Sequence, residues 1–177
     1  MMMKKLIKVL MPLVLIVAMS SFLTPGLRAA QPDDIAVSQG ASTSTLTVYI
    51  DQLNINKDGG TVTVDPIQWY EGEAAEVAFQ ANEPDAGIDG PPDGYYIVND
   101  DEQLTRYPVA KDAEVLMQIY DRTGNLEDMD IQWNELISLE KFGEIFSHNE
   151  LIDLSQFPYH ITIKDGQVVR IVQQFIP

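Results

Sequence analysis

Tyr159-His-Ile-Thr-Ile-Lys-Asp-Gly-Gln-Val-Val-Arg-Ile-Val172 is the stretch whose reading decides the fold. Apolar and polar residues alternate on both sides of Lys164-Asp-Gly166, and Asp-Gly between alternating β-branched segments predicts a tight antiparallel hairpin. The same pattern lies at the other end of the domain. Thr45-Leu-Thr-Val-Tyr-Ile-Asp-Gln-Leu53 alternates with period two, Asn56-Lys-Asp-Gly-Gly60 supplies a turn, and Thr61-Val-Thr-Val-Asp-Pro-Ile-Gln-Trp69 resumes the alternation. Asp65-Pro66 also fits a helix start, with Pro at the first helical position. The spacing of Val62, Val64 and Ile67 or Trp69 favours the strand.

Between these hairpins the pattern is more broken. Glu71-Gly-Glu-Ala-Ala-Glu-Val-Ala-Phe-Gln-Ala81 is rich in helix formers with acids in its first turn, and predicts a short helix. Glu83 to Gly94, crowded with Pro, Gly and acids, is a loop. Tyr95–Val98, Leu104–Val109 and Ala113–Tyr120 are three short strand candidates, with Pro108 expected at an edge or a strand end because it cannot donate to a ladder. Asp121 to Asp130 is a second acidic loop. Ile131, Trp133 and Ile137 fit a strand, and Ser138 fits the cap of a helix bearing Leu139, Phe142, Ile145 and Phe146 on one side. Together these predict an α+β domain, mainly antiparallel. The expected form is a curled sheet or small oligonucleotide-binding-type (OB-like) barrel of about seven or eight short strands with two short helices.

Upstream of the domain, Lys4, Lys5 and Lys8 precede Val9–Met19, an uncharged apolar run of eleven residues. A basic start, a short apolar run and a small-residue exit describe a secretory signal peptide over residues 1–30, with cleavage sites after Ser20, Ala29 or Ala30. The run is short for a bilayer span of about 20 residues, so the membrane enters only through this segment, if it is retained. Residues 31–44, polar and small without an apolar period, are expected to form a flexible spacer, and 45–177 a single globular domain. The expected location is outside the cytoplasm.

Charge and cysteine content narrow the function classes. The chain carries −16; residues 1–30 hold four cations and no acid, so the remainder sets seven cations against 27 acids and carries −20. Nucleic acid and anionic membrane surfaces are bound by clustered Lys and Arg, which excludes them as partners. The absence of cysteine excludes disulfides, thiol nucleophiles, Cys-ligated zinc and a lipid-anchored N-terminus.

Several constellations carry possible chemistry. Asn54-x-Asn56-x-Asp58-Gly59 with Asp65 at the twelfth position has the spacing of a calcium loop, but its neighbours alternate as strands and the hairpin is the better reading. Asp85, Asp89 and Asp93 with Glu83 in one loop, or Asp121, Asp128 and Asp130 with Asn125 and Glu127 in the other, are candidate calcium ligands. Trp69-Tyr70 and Tyr95-Tyr96 are candidates for a carbohydrate- or peptide-binding face. Adjacent strand residues point to opposite sides, so one of each pair is expected in the core and the other exposed. His148 and His160 are the only histidines, and a hydrogen-bonded structural role is expected for His160 in its strand. No Gly-x-Ser-x-Gly elbow, phosphate-cradling glycine loop or His-Glu-x-x-His occurs.

Three stretches form a further set: Trp69-Tyr-Glu-Gly-Glu-Ala-Ala75; Asp93-Gly-Tyr-Tyr-Ile-Val-Asn-Asp100 followed by Leu104-Thr-Arg-Tyr-Pro-Val109; and Thr162–Pro177. Their order and spacing over about 65–177 resemble a group of small secreted or lipid-anchored proteins of Gram-positive bacteria with no assigned activity. The resemblance implies export and a compact domain, and supplies no catalytic or binding residue. The chain departs from the anchored members in lacking cysteine.

Three functions follow as expectations. The first is an exported, non-enzymatic binding or interaction domain with a cell-wall or extracellular partner. The second is a calcium-binding module using one acidic loop. The third is a hydrolase using paired carboxylates around a Tyr95/Tyr96 cleft.

Overall fold

The computed structural model describes residues 42–101 and 103–177; the expected signal peptide and nearly all of the expected spacer lie outside the described residues. The elements run β1 (Thr43–Asn56), β2 (Gly59–Glu71), α1 (Gly72–Asn82), β3 (Tyr95–Val98), β4 (Thr105–Met117), β5 (Glu135–Ile137), α2 (Leu139–Phe146), β6 (Pro158–Lys164) and β7 (Gln167–Gln173).

Five strands close on themselves. β1, β2 and β4 form an antiparallel meander, β6 and β7 form the C-terminal hairpin, β6 lies antiparallel to β1, and β7 lies parallel to β4. The order around the barrel is therefore β1-β2-β4-β7-β6 and back to β1, the connectivity of an OB-type barrel, in which no full-length edge is left unpaired. β3 pairs with the end of β2 that projects past the barrel, and β5 pairs with the last residues of β4.

The period-two pattern fills the interior. Val48 and Ile50, Val62 and Val64, Val115 and Met117, Tyr159 and Ile161, and Val168 and Ile171 all point inward and are almost completely buried. Ser138 caps α2, its Oγ accepting from Lys141 N at 3.1 Å. The helix turns Leu139, Phe142 and Ile145 onto the end of the barrel. Its close seat on β1 depends on Gly143, where an added Cβ would stand 2.9 Å from Ile55 Cβ. No helix among the described residues is long and apolar enough to cross a membrane.

Both hairpins form as expected. The β6–β7 turn places Asp165 at φ 51° and Gly166 at φ 81°, the left-handed pair of a two-residue hairpin turn. In the β1–β2 turn, Asn56 Oδ1 accepts from Asp58 N at 2.9 Å, so the sequence with calcium-loop spacing is spent on closing a hairpin. Gly59 follows at φ +118°, with Val109 O 2.5 Å from where a Cβ would sit. Gly59→Ala is expected to destabilise the domain by about 2–3 kcal/mol, from backbone strain and a clash with a fixed carbonyl. A urea midpoint within experimental error of the parent would refute this.

Four expectations are corrected. Leu104–Val109 and Ala113–Tyr120 are not separate strands: β4 runs unbroken from Thr105 to Met117, absorbing the polar Lys111-Asp112 in a register shift against β7 between Val109 and Glu114. Pro108 thus lies within a strand, but the ladder to β7 begins only at Val109, so its missing N–H falls where the β7 side is still open. Ile131 and Trp133 are not in a strand, because Asn134 at φ 56° turns the chain just before β5. Residues 43 and 44, assigned to the spacer, already pair with Lys164 and Ile163.

Candidate functional site

The outer face of the barrel carries the side chains that alternate with the core. On β1 these are Thr47 and Tyr49, opposite Ile67 and Asp65 of β2; on the other side of β1, Thr47 faces His160 of β6. β2 then continues beyond the barrel as an arm with β3, in register Trp69↔Ile97, Tyr70↔Tyr96 and Glu71↔Tyr95. Antiparallel partners share a face. Trp69 and Tyr95 therefore lie on one side of the arm, and Tyr70 and Tyr96 on the other.

On the first side, Trp69 and Tyr95 stack with centroids 4.7 Å apart and planes within 12°. The His160 ring meets Trp69 edge-on at 6.4 Å. Trp69 Nε1 donates to Glu71 Oε1 at 2.9 Å, fixing the indole. His160 is fixed through both nitrogens: in the neutral ring Nε2–H donates to Gln174 Oε1 at 3.1 Å, leaving Nδ1 to accept from the Thr47 hydroxyl at 3.0 Å. This is the structural role expected of it. Burial, with Tyr95 and Asp65 close by, raises the Tyr49 phenol above its usual range; burial and then Asp93 do the same for Tyr95. Both phenols are neutral at physiological pH.

Beside this cluster opens a concavity of about 600 Å³, lined by Tyr49, Ile50, Asp51, Asp65, Leu104, Ser155 and Gln156. Asp51 reaches it because β1 bulges there: Ile50 pairs with Val64 and Gln52 with Thr63, leaving Asp51 as the extra residue. Asp65 Oδ2 accepts from Asn99 Nδ2 at 2.7 Å, whereas Oδ1 is buried without a partner.

The second side of the arm is covered by α1. Phe79 meets Tyr96 edge-on at 5.5 Å, and Tyr70 donates to Gln68 Oε1 at 2.6 Å. The expected division of each aromatic pair between two faces holds, but not the expected burial. All four rings are half-buried, because the arm lies outside the barrel and neither face of it is core. Tyr95 and Tyr96 consequently share no cleft.

The acidic loops do not assemble. Asp85, Asp89 and Asp93 are exposed along the loop after α1. Asp121 Oδ1 accepts from the N–H groups of Thr123 and Gly124, and Asp128 Oδ2 accepts from Thr123 Oγ1 at 2.7 Å, so these two carboxylates close the turn they stand in. Asp130 contributes its carbonyl, which accepts from Arg122 Nη1 at 2.8 Å. Arg122 also binds Glu135 Oε2 at 2.6 Å and lies over the Tyr120 ring at 4.4 Å. Among the described residues, no three Asp, Glu or His side chains are grouped to hold a metal ion. His148 closes the end of α2, Nδ1–H donating to Glu144 O at 2.8 Å.

Sequence reasoning identified Trp69 and Tyr95 but missed Tyr49, Asp51 and Asp65 as their neighbours. Period two was enough to place Tyr49 and Asp65 on the outer face with Trp69; nothing local signalled the bulge at Asp51. No protein-family model, curated protein or solved structure matches the chain.

Proposed function

We propose that the protein is an exported, non-enzymatic binding domain that works at the cell wall or in the extracellular space. Its ligand lies along the Trp69/Tyr95 stack and the concavity beside it. The carrying observation is the stack itself: two half-buried rings held flat against each other on a projecting arm, rigidified by Glu71 and His160, on a surface where the barrel needs no core. Aromatic faces bought at the cost of exposure are suited to apolar faces of a ligand, while the surrounding hydroxyl, amide and carboxyl groups suit its polar edges. Export rests on the basic and apolar N-terminal segment. The non-enzymatic reading draws on the two histidines, each engaged in a structural hydrogen bond.

Binding is tested by sedimenting the full chain with purified cell-wall polymer. Trp69→Ala is expected to weaken retention about tenfold or more, equivalent to about 1.4 kcal/mol or more. Tyr70→Ala, on the opposite face, should change it little. Equal losses from the two variants would place the ligand elsewhere. Turnover of any wall substrate by the pure protein would overturn the non-enzymatic reading.

A further inference from the structure

We infer that the open side of α1 is a docking groove for a basic amphipathic helix of a partner protein. The groove lies on the side of the arm away from the Trp69/Tyr95 stack, so the inference is independent of the reading above.

Its shape comes from a mismatch between the helix and what the domain buries of it. Between positions 74 and 81, α1 carries six apolar residues, of which only Ala75 and Phe79 are buried. Ala74, Val77, Ala78 and Ala81 follow the i, i+3, i+4, i+7 spacing of a helix face that meets a partner. Val77, in the middle of that face, is 64% exposed. The arm supplies the opposite wall. Gln68, Tyr70 and Val98 point to the same side, because Gln68 pairs with Val98 and Tyr70 lies two residues on. Phe79 of α1 meets Tyr96, while Tyr70 and Val98 line, with the four α1 residues, an open groove of about 640 Å³. The Tyr70 hydroxyl, donating to Gln68 Oε1 at 2.6 Å, fixes that wall.

Charge selects the occupant. Each wall carries an acid at the groove, Glu73 from α1 and Asp100 from the chain after β3. Neither is neutralised within the domain, since the ion pairs among the described residues are Arg122–Glu135 and Arg170–Glu114. The asymmetry extends beyond the groove. Residues 58–105 hold 12 acids and no Lys or Arg, whereas 106–177 set 12 acids against six cations. An apolar floor with a carboxylate on each side fits a helix whose apolar stripe is flanked by Lys or Arg. The small side chains of Ala74, Ala78 and Ala81 let such a helix approach closely. A second copy of this chain would set acids against acids, and an anionic membrane would be repelled.

The probe is a fluorescein-labelled peptide of about 14 residues, made of Leu and Lys with Leu at i, i+3, i+4 and i+7, and so three to four helical turns long. It is titrated with the full chain at physiological ionic strength and followed by anisotropy. A peptide of the same composition in scrambled order keeps the charge and loses the stripe. The periodic peptide is expected to bind about tenfold more tightly than the scrambled one. Val77→Ser, at an exposed position, should remove most of that preference. Glu73→Gln and Asp100→Asn should each weaken binding about threefold, because each removes one charge facing the peptide. Glu127→Gln, an equal charge change on the Asp121–Asp130 loop, should leave binding unchanged.

Equal affinity for the two peptides, or a loss with Glu127→Gln as large as with Glu73→Gln, would overturn the groove in favour of general attraction between a polycation and a polyanion. Tight binding retained by Val77→Ser would place the peptide elsewhere. Binding of neither peptide would overturn the helix as occupant. Self-association of the chain, measured by sedimentation and lost in Val77→Ser, would make the groove an interface between copies instead. Each of these outcomes leaves the Trp69/Tyr95 reading standing, since that surface is tested by retention on wall polymer.

Discussion

Phe142→Ala is expected to lower stability by about 3–5 kcal/mol, the cost of replacing a fully enclosed aromatic ring by a cavity. Phe142 is completely buried at the centre of the face that α2 turns toward the barrel, with the Tyr159 ring 5.8 Å away and the Phe146 ring 5.6 Å away. Collapse cannot heal the gap. Gly143 already holds the helix against Ile55, and Tyr159 is held by its hydroxyl, which donates to Leu154 O at 2.9 Å. The melting temperature should therefore fall by about 10–20 °C. The denaturant midpoint should fall without a change in slope, because the surface exposed on unfolding is nearly unchanged. Phe142→Leu, which refills most of the volume, should recover more than half of the loss. A loss below about 1 kcal/mol for the alanine variant would show that α2 does not plug the barrel.

The ease of anticipating α2 and the difficulty of anticipating its position have the same source. Ser138, the spacing of Leu139, Phe142 and Ile145, and the Asp165-Gly166 turn act within a few residues, so the chain declares them locally. Barrel closure is different. It requires β7 to lie parallel to β4, and no local pattern distinguishes that pairing from an antiparallel one. The same non-local ladder explains β4, where Lys111 and Asp112 carry the appearance of a turn but lie between Val109 and Glu114, whose partners Val168 and Arg170 are far away in the chain.

The candidate site divides along the same line. That Trp69 and Tyr70 face opposite ways follows from period two, and so does the opposition of Tyr95 to Tyr96. That Trp69 meets Tyr95, and that Tyr49 meets Asp65, depends on the register of two ladders. A shift of one residue in β2 against β1 would put Asp65 inside the barrel and Val64 outside. The burial of Val62 and Val64 therefore sets the site as firmly as it sets the core.

Gln173→Met should cost about 2–3 kcal/mol although the two side chains are nearly equal in length and volume. Gln173 ends β7 and is buried, and its Oε1 accepts from Gln118 N at 2.8 Å and Ile119 N at 2.9 Å. The β4–β7 ladder has its last pair at Leu116 and Val172, so the glutamine side chain serves as the acceptor for the two N–H groups that follow the end of β4. Gln118 reciprocates. Its Nε2 donates to Gln173 O at 3.0 Å and to Asn134 Oδ1 at 3.2 Å, while its Oε1 accepts from Asn134 N at 2.7 Å, holding Asn134 in its left-handed turn. Methionine fills the space and removes the buried Nε2 of Gln173, which has no partner, but it leaves one buried and one half-buried N–H without acceptors, each costing about 1–3 kcal/mol. Because the lost partners are backbone groups, amide exchange at Gln118 and Ile119 should accelerate more than exchange within β1 or β6, beyond the change due to lower global stability. A loss below about 1 kcal/mol, or uniform acceleration across the barrel, would show that the end of β4 is held by packing alone. The measured loss would then match that of an isosteric apolar exchange, and the crossed glutamines would carry no stability of their own.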